Sequence, residues 1–304
     1  MEGCRLCPRA CGVERTGARG FCGAGEGLEV GTVCVHRGEE PPLNPIVNVF
    51  FAHCNLQCIY CQNWQISKRA VSGERRVESV DALADRICSL FSTLHSPLAS
   101  PMLGLVTAAH YADRLPALLD AVRRRGCSPT VVYNSSGYES VDTLRSLEGL
   151  VDVYLPDFKY MDATLAAAYS HAADYPAVAQ AALREMRRQV GAGLKTDEAG
   201  RAYRGLIVRH LVLPGAVENS LRCLKWLADE FPFGLHLSLM AQYFPPQPGL
   251  PAPLDRTVST EEYATVVARA EALGLTDGWT QELEARDNYR PDFDNTDNPF
   301  DTGL

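Results

Sequence analysis

The chain has 304 residues, 46% hydrophobic and 22% charged, which is ordinary globular usage and excludes a disordered or collagen-like class. A formal net charge of -8 gives no general attraction to nucleic acid or to an anionic membrane, so neither is expected as a partner. No run approaches the ~18 apolar residues of a membrane span and no export signal opens the sequence, so the expected location is the cytoplasm.

Eleven cysteines in such a chain are expected as metal ligands rather than disulfides. Residues 1–43 read as a cysteine-rich metal-binding module. Cys4, Cys7, Cys11 and Cys22 supply four thiolates in a glycine-interrupted stretch with little core of its own, and a bound metal would supply the missing stability. Four cysteines suit tetrahedral zinc, the preferred reading, or a fully ligated second iron-sulfur cluster. Cys34 is a candidate fifth ligand.

From Ile46 the pattern changes. Short apolar runs at Ile46 to Phe51, Met102 to Thr107, Pro129 to Tyr133, Val151 to Leu155, Gly205 to Leu213 and Leu235 to Met240 read as six strands covered on both faces. Helical stripes lie between them, as at Val80, Leu83, Ala84, Ile87, Leu90, Phe91 and Leu94, at Leu115 to Val122, and again at Tyr263 to Leu273. Arg123 to Arg125 end the second of these helices and read as a solvated helix terminus with no ligand. Strand and helix alternation predicts an α/β fold: a partial (β/α)6 TIM-type barrel over residues 44–285, with functional residues just after the strands. Residues 286–304 lack periodicity and read as an irregular C-terminal tail, either an ordered wrap or a frayed end.

Directly after the first strand comes Cys54-x-x-x-Cys58-x-x-Cys61, which places three thiolates on one short loop. Three cysteines on a [4Fe-4S] cluster leave one iron open to a small molecule, unlike the fully ligated clusters of ferredoxins. A zinc knot or three structural cysteines is the competing reading. Polar residues after later strands are the other candidates: Asn134 and Ser136 after the third, Asp157 and Lys159 after the fourth, Gln242 after the sixth. Arg209 lies inside an apolar strand, where a guanidinium needs a carboxylate or a ligand to offset its desolvation. His210 must face the other way.

The CxxxCxxC spacing, Tyr60 before the last cysteine and the place after strand one together resemble the radical S-adenosylmethionine (SAM) superfamily signature. His36-Arg37-Gly38-Glu39-Glu40-Pro41-Pro42-Leu43, Cys61-Gln62-Asn63-Trp64-Gln65-Ile66-Ser67 and Arg209-His210-Leu211-Val212-Leu213-Pro214-Gly215 look like the PflX-like group, named for similarity to pyruvate formate-lyase activating enzyme, over nearly the whole chain. The sequence departs at Asn44 to Asn48, which lacks a glycine-rich pattern, and at Thr107-Ala108-Ala109-His110, where many relatives carry a GGE-type motif. The resemblance implies a [4Fe-4S] cluster and SAM as cofactors, with Tyr60, Asn134, Ser136, Asp157, Lys159, Arg209 and Gln242 as cofactor contacts. It implies an oxidoreductase that cleaves SAM to a 5'-deoxyadenosyl radical and abstracts hydrogen from a protein or peptide, as an activase does. A small-molecule substrate, or a non-catalytic iron-sulfur carrier, is the alternative. An electron donor such as flavodoxin or ferredoxin is the implied partner.

Overall fold

A strand apolar on both faces must be covered on both, and β2 (Ile46–Phe51) meets that condition with all six residues buried. The computed structural model describes residues 3–67, 76–94, 100–288, 290–295 and 298–300. Alongside β2 run β4 (Met102–Val106), β5 (Thr130–Ser135), β6 (Val153–Pro156), β8 (Ala202–Leu211), β9 (His236–Met240) and β10 (Gly278–Thr280), each parallel to the next. These are the six expected strands plus a seventh, β10, whose three residues are too few to announce a strand and which forms by pairing with β9. The sheet is open, as in a partial barrel, and continues past β2 through antiparallel β1 (Leu28–His36) to β3 (Arg76–Glu78). β1 lies within the segment assigned above to the cysteine-rich module. A short β7 (Lys195–Thr196) pairs antiparallel with β8.

Crossover helices cover one face of the sheet. They are α2 (Val80–Thr93), which follows the single turn α1 (Trp64–Ser67), α3 (Leu115–Arg124), α4 (Val141–Ser146), α5 (Ala163–Ser170), α6 (Tyr175–Val190), α7 (Val217–Glu230) and α8 (Thr260–Ala272); a last turn, α9 (Ala285–Asn288), begins the tail. The ends of α2 and α8 are set locally. Ser79 caps α2 by accepting from the Ala82 amide, and Ser259 with Glu262 forms a reciprocal capping box on α8. The stripe Leu83, Ala84, Ile87 and Phe91 is buried as its spacing requires.

Alternate residues of the strands face inward instead. Leu43, Ile46, Met102, Val132, Val153, Leu155 and Ile207 form a separate apolar cluster that plugs one end of the barrel. The other end is a cavity. One inward position demands glycine: a Cβ at Gly104 would stand 1.8 Å from Asn48 Oδ1. Phe293 and Phe300 of the tail pack on Phe50 and Val106.

Candidate metal and cofactor site

The loop after β2 is bent into shape by two non-glycine residues in the left-handed region, His53 at φ 73° and Gln57 at φ 54°. Such conformations cost energy and persist where the surroundings enforce them. The Ile59 amide bonds Tyr169 O, and the Asn55 side chain bonds Tyr138 O at 2.8 Å. Cys54 and Cys58 are buried and Cys61 is half-buried. Every one of the three sulfurs accepts a hydrogen bond. The Leu56 amide donates to Cys54 Sγ at 3.4 Å, Ser170 Oγ to Cys58 Sγ at 3.0 Å, and Ser67 Oγ to Cys61 Sγ at 3.2 Å.

Burial, with Cys58 and Cys61 adding repulsion, pushes the Cys54 thiol up to about 12. Burial raises Cys58 too, with Lys159 opposing. Metal-free, Cys54 therefore keeps its proton at neutral pH, and ligation must displace it. The donor set of three hydrogen-bonded cysteines suits a cubane, whose thiolates each take a separate iron and whose sulfurs are tuned by such bonds.

These cysteines open onto a cavity of about 200 Å³. Tyr60, Asn134, Ser136, Asp157, Lys159, Arg209 and Gln242 all line it together with Cys54, Cys58 and Cys61. Tyr60 is tied into a relay. Its hydroxyl lies 2.6 Å from that of Tyr160, which lies 2.8 Å from Ser170 Oγ. Because Ser170 donates to Cys58, the direction runs from Tyr60 through Tyr160 to the sulfur. Lys159 Nζ donates to Asp157 Oδ2 at 2.6 Å. Burial lowers the Lys159 pKa, but Asp157 and Cys58 more than offset it and hold it above the usual lysine value. Gln242 accepts from Gln62 through its carbonyl and from Gln281 through its side-chain oxygen. No bond is formed by the Asn134 or Ser136 side chain among the described residues.

No family model matches the chain. It is 27% identical to an uncharacterized protein of Methanocaldococcus jannaschii over 282 residues, 90% of this chain and 76% of that protein. A second uncharacterized protein of the same organism is 33% identical over 21% of this chain and 24% of its own length. Among solved structures, a radical SAM methyltransferase from Sphaerobacter thermophilus superposes with a TM-score of 0.50 at 12% identity, covering 78% of this chain and 66% of that one. The chain shares that structure's fold, an open α/β barrel of parallel strands. Its CxxxCxxC loop follows the first parallel strand of that fold, and the other candidate residues stand at or just beyond the ends of β5, β6, β8 and β9.

Within this fold the partner that Arg209 needs is supplied by the chain itself. Arg209 Nε and Nη2 donate to both oxygens of Glu40 at 2.8 and 2.7 Å, and Nη2 also donates to Glu39 at 2.8 Å. Ser238 Oγ completes Glu40 at 2.8 Å. Burial opposes ionisation of Glu39, yet Arg209 and His36 hold its carboxyl well below the usual range. His210 faces outward and is buried, bonded to Phe158 O at 2.6 Å and Ser220 at 2.9 Å; burial lowers its pKa to about 4. Glu39, Glu40 and Asn48 are site residues that sequence reasoning did not single out. Two adjacent acids before a strand were the available signal.

The N-terminal cysteines sit near one another. Cys7 and Cys22 are buried, Cys4 is half-buried and Cys11 exposed, with Cys22 feeling the charge of Cys4 and Cys11, and Cys7 that of Cys22 and Cys4. Arg15 donates to Cys4 Sγ at 3.1 Å. Cys34 lies elsewhere, packed with Phe50 and Val106. The segment docks on the CxxxCxxC loop: Arg9 Nε donates to Asn55 O at 3.0 Å and Arg9 Nη2 to Ser170 O at 3.2 Å, Gln57 donates to Phe21 O, and Glu29 joins Arg19 and His53, each at 2.8 Å.

Proposed function

We propose that this chain is a radical SAM enzyme of the PflX-like group, in which Cys54, Cys58 and Cys61 hold a [4Fe-4S] cluster and the adjoining cavity takes SAM and substrate. The observation that carries this is the set of three hydrogen-bonded thiols opening onto a cavity beside the Asp157–Lys159 ion pair. When bound, the cluster supplies the electron that cleaves SAM to methionine and a 5'-deoxyadenosyl radical.

The protein's own residues bind, orient and exclude water. Lys159, kept charged by Asp157, offers an ammonium for the SAM carboxylate. Asn134, Ser136 and Gln242 offer polar groups from two strand ends. Tyr60 acts through the Tyr160–Ser170 relay on Cys58, and Arg209 acts through Glu39 and Glu40. Hydrogen abstraction from a protein or peptide, as by an activase, is the proposed reaction, with a flavodoxin or ferredoxin as electron donor in the cytoplasm. Cys4, Cys7, Cys11 and Cys22 are proposed to hold zinc or a second cluster. The test is anaerobic reconstitution with iron and sulfide, then dithionite and SAM. Equimolar 5'-deoxyadenosine and methionine are expected, and neither product should form with Cys58→Ala. Absence of both from the wild-type protein would refute the proposal.

A further inference from the structure

Behind the CxxxCxxC loop, taken as the cluster site of the enzyme proposed above, one cation has contacts that reach both sides of that loop. Helix α5 ends at His171, in the left-handed region at φ 54°, and its last carbonyls lack helical donors. The Arg9 guanidinium supplies them: Nη2 donates to Ser170 O at 3.2 Å and Nη1 to His171 O. Its Nε donates to Asn55 O at 3.0 Å, so all three nitrogens are used. The guanidinium carbon lies 3.9 Å from the ring centre of Phe21 and 5.1 Å from that of Tyr138, which adds aromatic faces to the grip. Asn55 adjoins Cys54, and Ser170 Oγ donates to Cys58 Sγ at 3.0 Å. One side chain thus fixes the backbone beside one candidate ligand and the hydrogen-bond donor of another.

The backbone of the same residue is held independently. The Arg9 amide donates to the Cys7 sulfur, and the Ala10 amide closes the turn on Cys7 O at 2.9 Å. Thr143 Oγ1 donates to Leu6 O at 2.7 Å and pins this stretch to the barrel. A continuous path therefore runs from Cys7 through the amide and guanidinium of Arg9 to Ser170 and on to Cys58. Charge near an iron-sulfur cluster and hydrogen bonds to its sulfurs both set its reduction potential, and Arg9 bears on both.

We propose that Arg9 is a positioning residue for the cluster: it orients Ser170 toward Cys58 Sγ, holds the backbone beside Cys54, and so raises the reduction potential of the [4Fe-4S] centre. Through Arg9, the placement of the segment that carries Cys7 is felt at the cluster.

The experiment is a redox titration of the full chain, reconstituted with iron and sulfide and read by electron paramagnetic resonance on the signal that responds to SAM, so that iron bound at the N-terminal cysteines is not counted. Arg9→Met should move the midpoint potential to a more negative value. Arg9→Lys keeps the charge but loses the three-way grip, and should move it the same way but less. Ser170→Ala should move it less in the Arg9→Met background than in the wild-type protein. Should Arg9→Met fail to fold, Arg9→Lys decides by itself. A midpoint unchanged in Arg9→Met, a midpoint fully restored by Arg9→Lys, or a Ser170→Ala shift of the same size in both backgrounds would overturn the proposal. Lack of any SAM-responsive signal in the wild-type protein would refute the radical SAM reading and this proposal with it, so the two failures are told apart.

Discussion

Replacing Arg209 with Met keeps most of the side-chain volume and removes the cation from between two carboxylates. The three side chains are 13%, 7% and 2% exposed for Arg209, Glu39 and Glu40, so solvent screens the loss little. Breaking a buried pair by deleting one partner costs about 3–5 kcal/mol, because the remaining charge is left uncompensated. At about 2 °C per kcal/mol for a chain of this size, the melting temperature should fall by about 6–10 °C. The loss should also depend on pH. In the native protein the Glu39 carboxyl is held below its usual range, so its contribution is present above pH ~4.5 and fades as pH falls further. In Arg209→Met the same buried carboxyl prefers its proton, so the variant regains ground at acid pH and the gap should narrow between pH 7 and pH 4. Thermal unfolding followed by circular dichroism at both pH values measures this. A shift under 2 °C at pH 7, or a gap that ignores pH, would refute the claim that Arg209 exists to offset these acids.

Gly104→Ala should destabilise by about 1–3 kcal/mol through overpacking against Asn48, and Asn48→Ala in the same chain should relieve most of that cost, as chemical denaturation of the four proteins would measure. Glu139 is buried beside Tyr133, and burial raises its carboxyl to about 8. Its contribution is complete below pH ~4.5 and is lost as pH rises toward 8, at about 1.4 kcal/mol per unit, so Glu139→Gln should flatten the stability profile over that window. An unchanged slope in urea titrations would count against it. Ser170→Ala removes the hydrogen bond to Cys58 Sγ and should lower the reduction potential of the reconstituted cluster, as a spectroscopic redox titration would read.

Much of the frame was legible because it rests on local pattern. Six strands covered on both faces announce themselves as apolar runs, and helices such as α2 through a buried stripe every three or four residues. Of the four missed strands, β3 and β7 are only three and two residues long, and the other two differ in kind. β10 has only Gly278, Trp279 and Thr280 to speak for it and is defined by the partner β9. β1 carries its own signal in Val30, Thr32, Val33 and Val35, but its place beside β2 is a long-range antiparallel choice that periodicity does not encode. At the site, spacing placed Cys54, Cys58 and Cys61 on one loop, and strand-end logic gathered Asn134, Asp157, Lys159 and Gln242 round one cavity. The need of Arg209 for a carboxylate was legible from its apolar strand; that Glu39 and Glu40, some 170 residues earlier, supply it was not. The relay from Tyr60 through Tyr160 to Ser170 joins three elements and likewise has no local signature.

The most direct test is electron paramagnetic resonance of the dithionite-reduced, reconstituted protein, recorded with and without SAM. The account predicts a reduced [4Fe-4S] signal that depends on Cys54, Cys58 and Cys61 and changes when SAM is added, because one iron lacks a protein ligand. A SAM-responsive signal that survives Cys58→Ala, or the lack of any SAM-responsive signal in the wild-type protein, would contradict it.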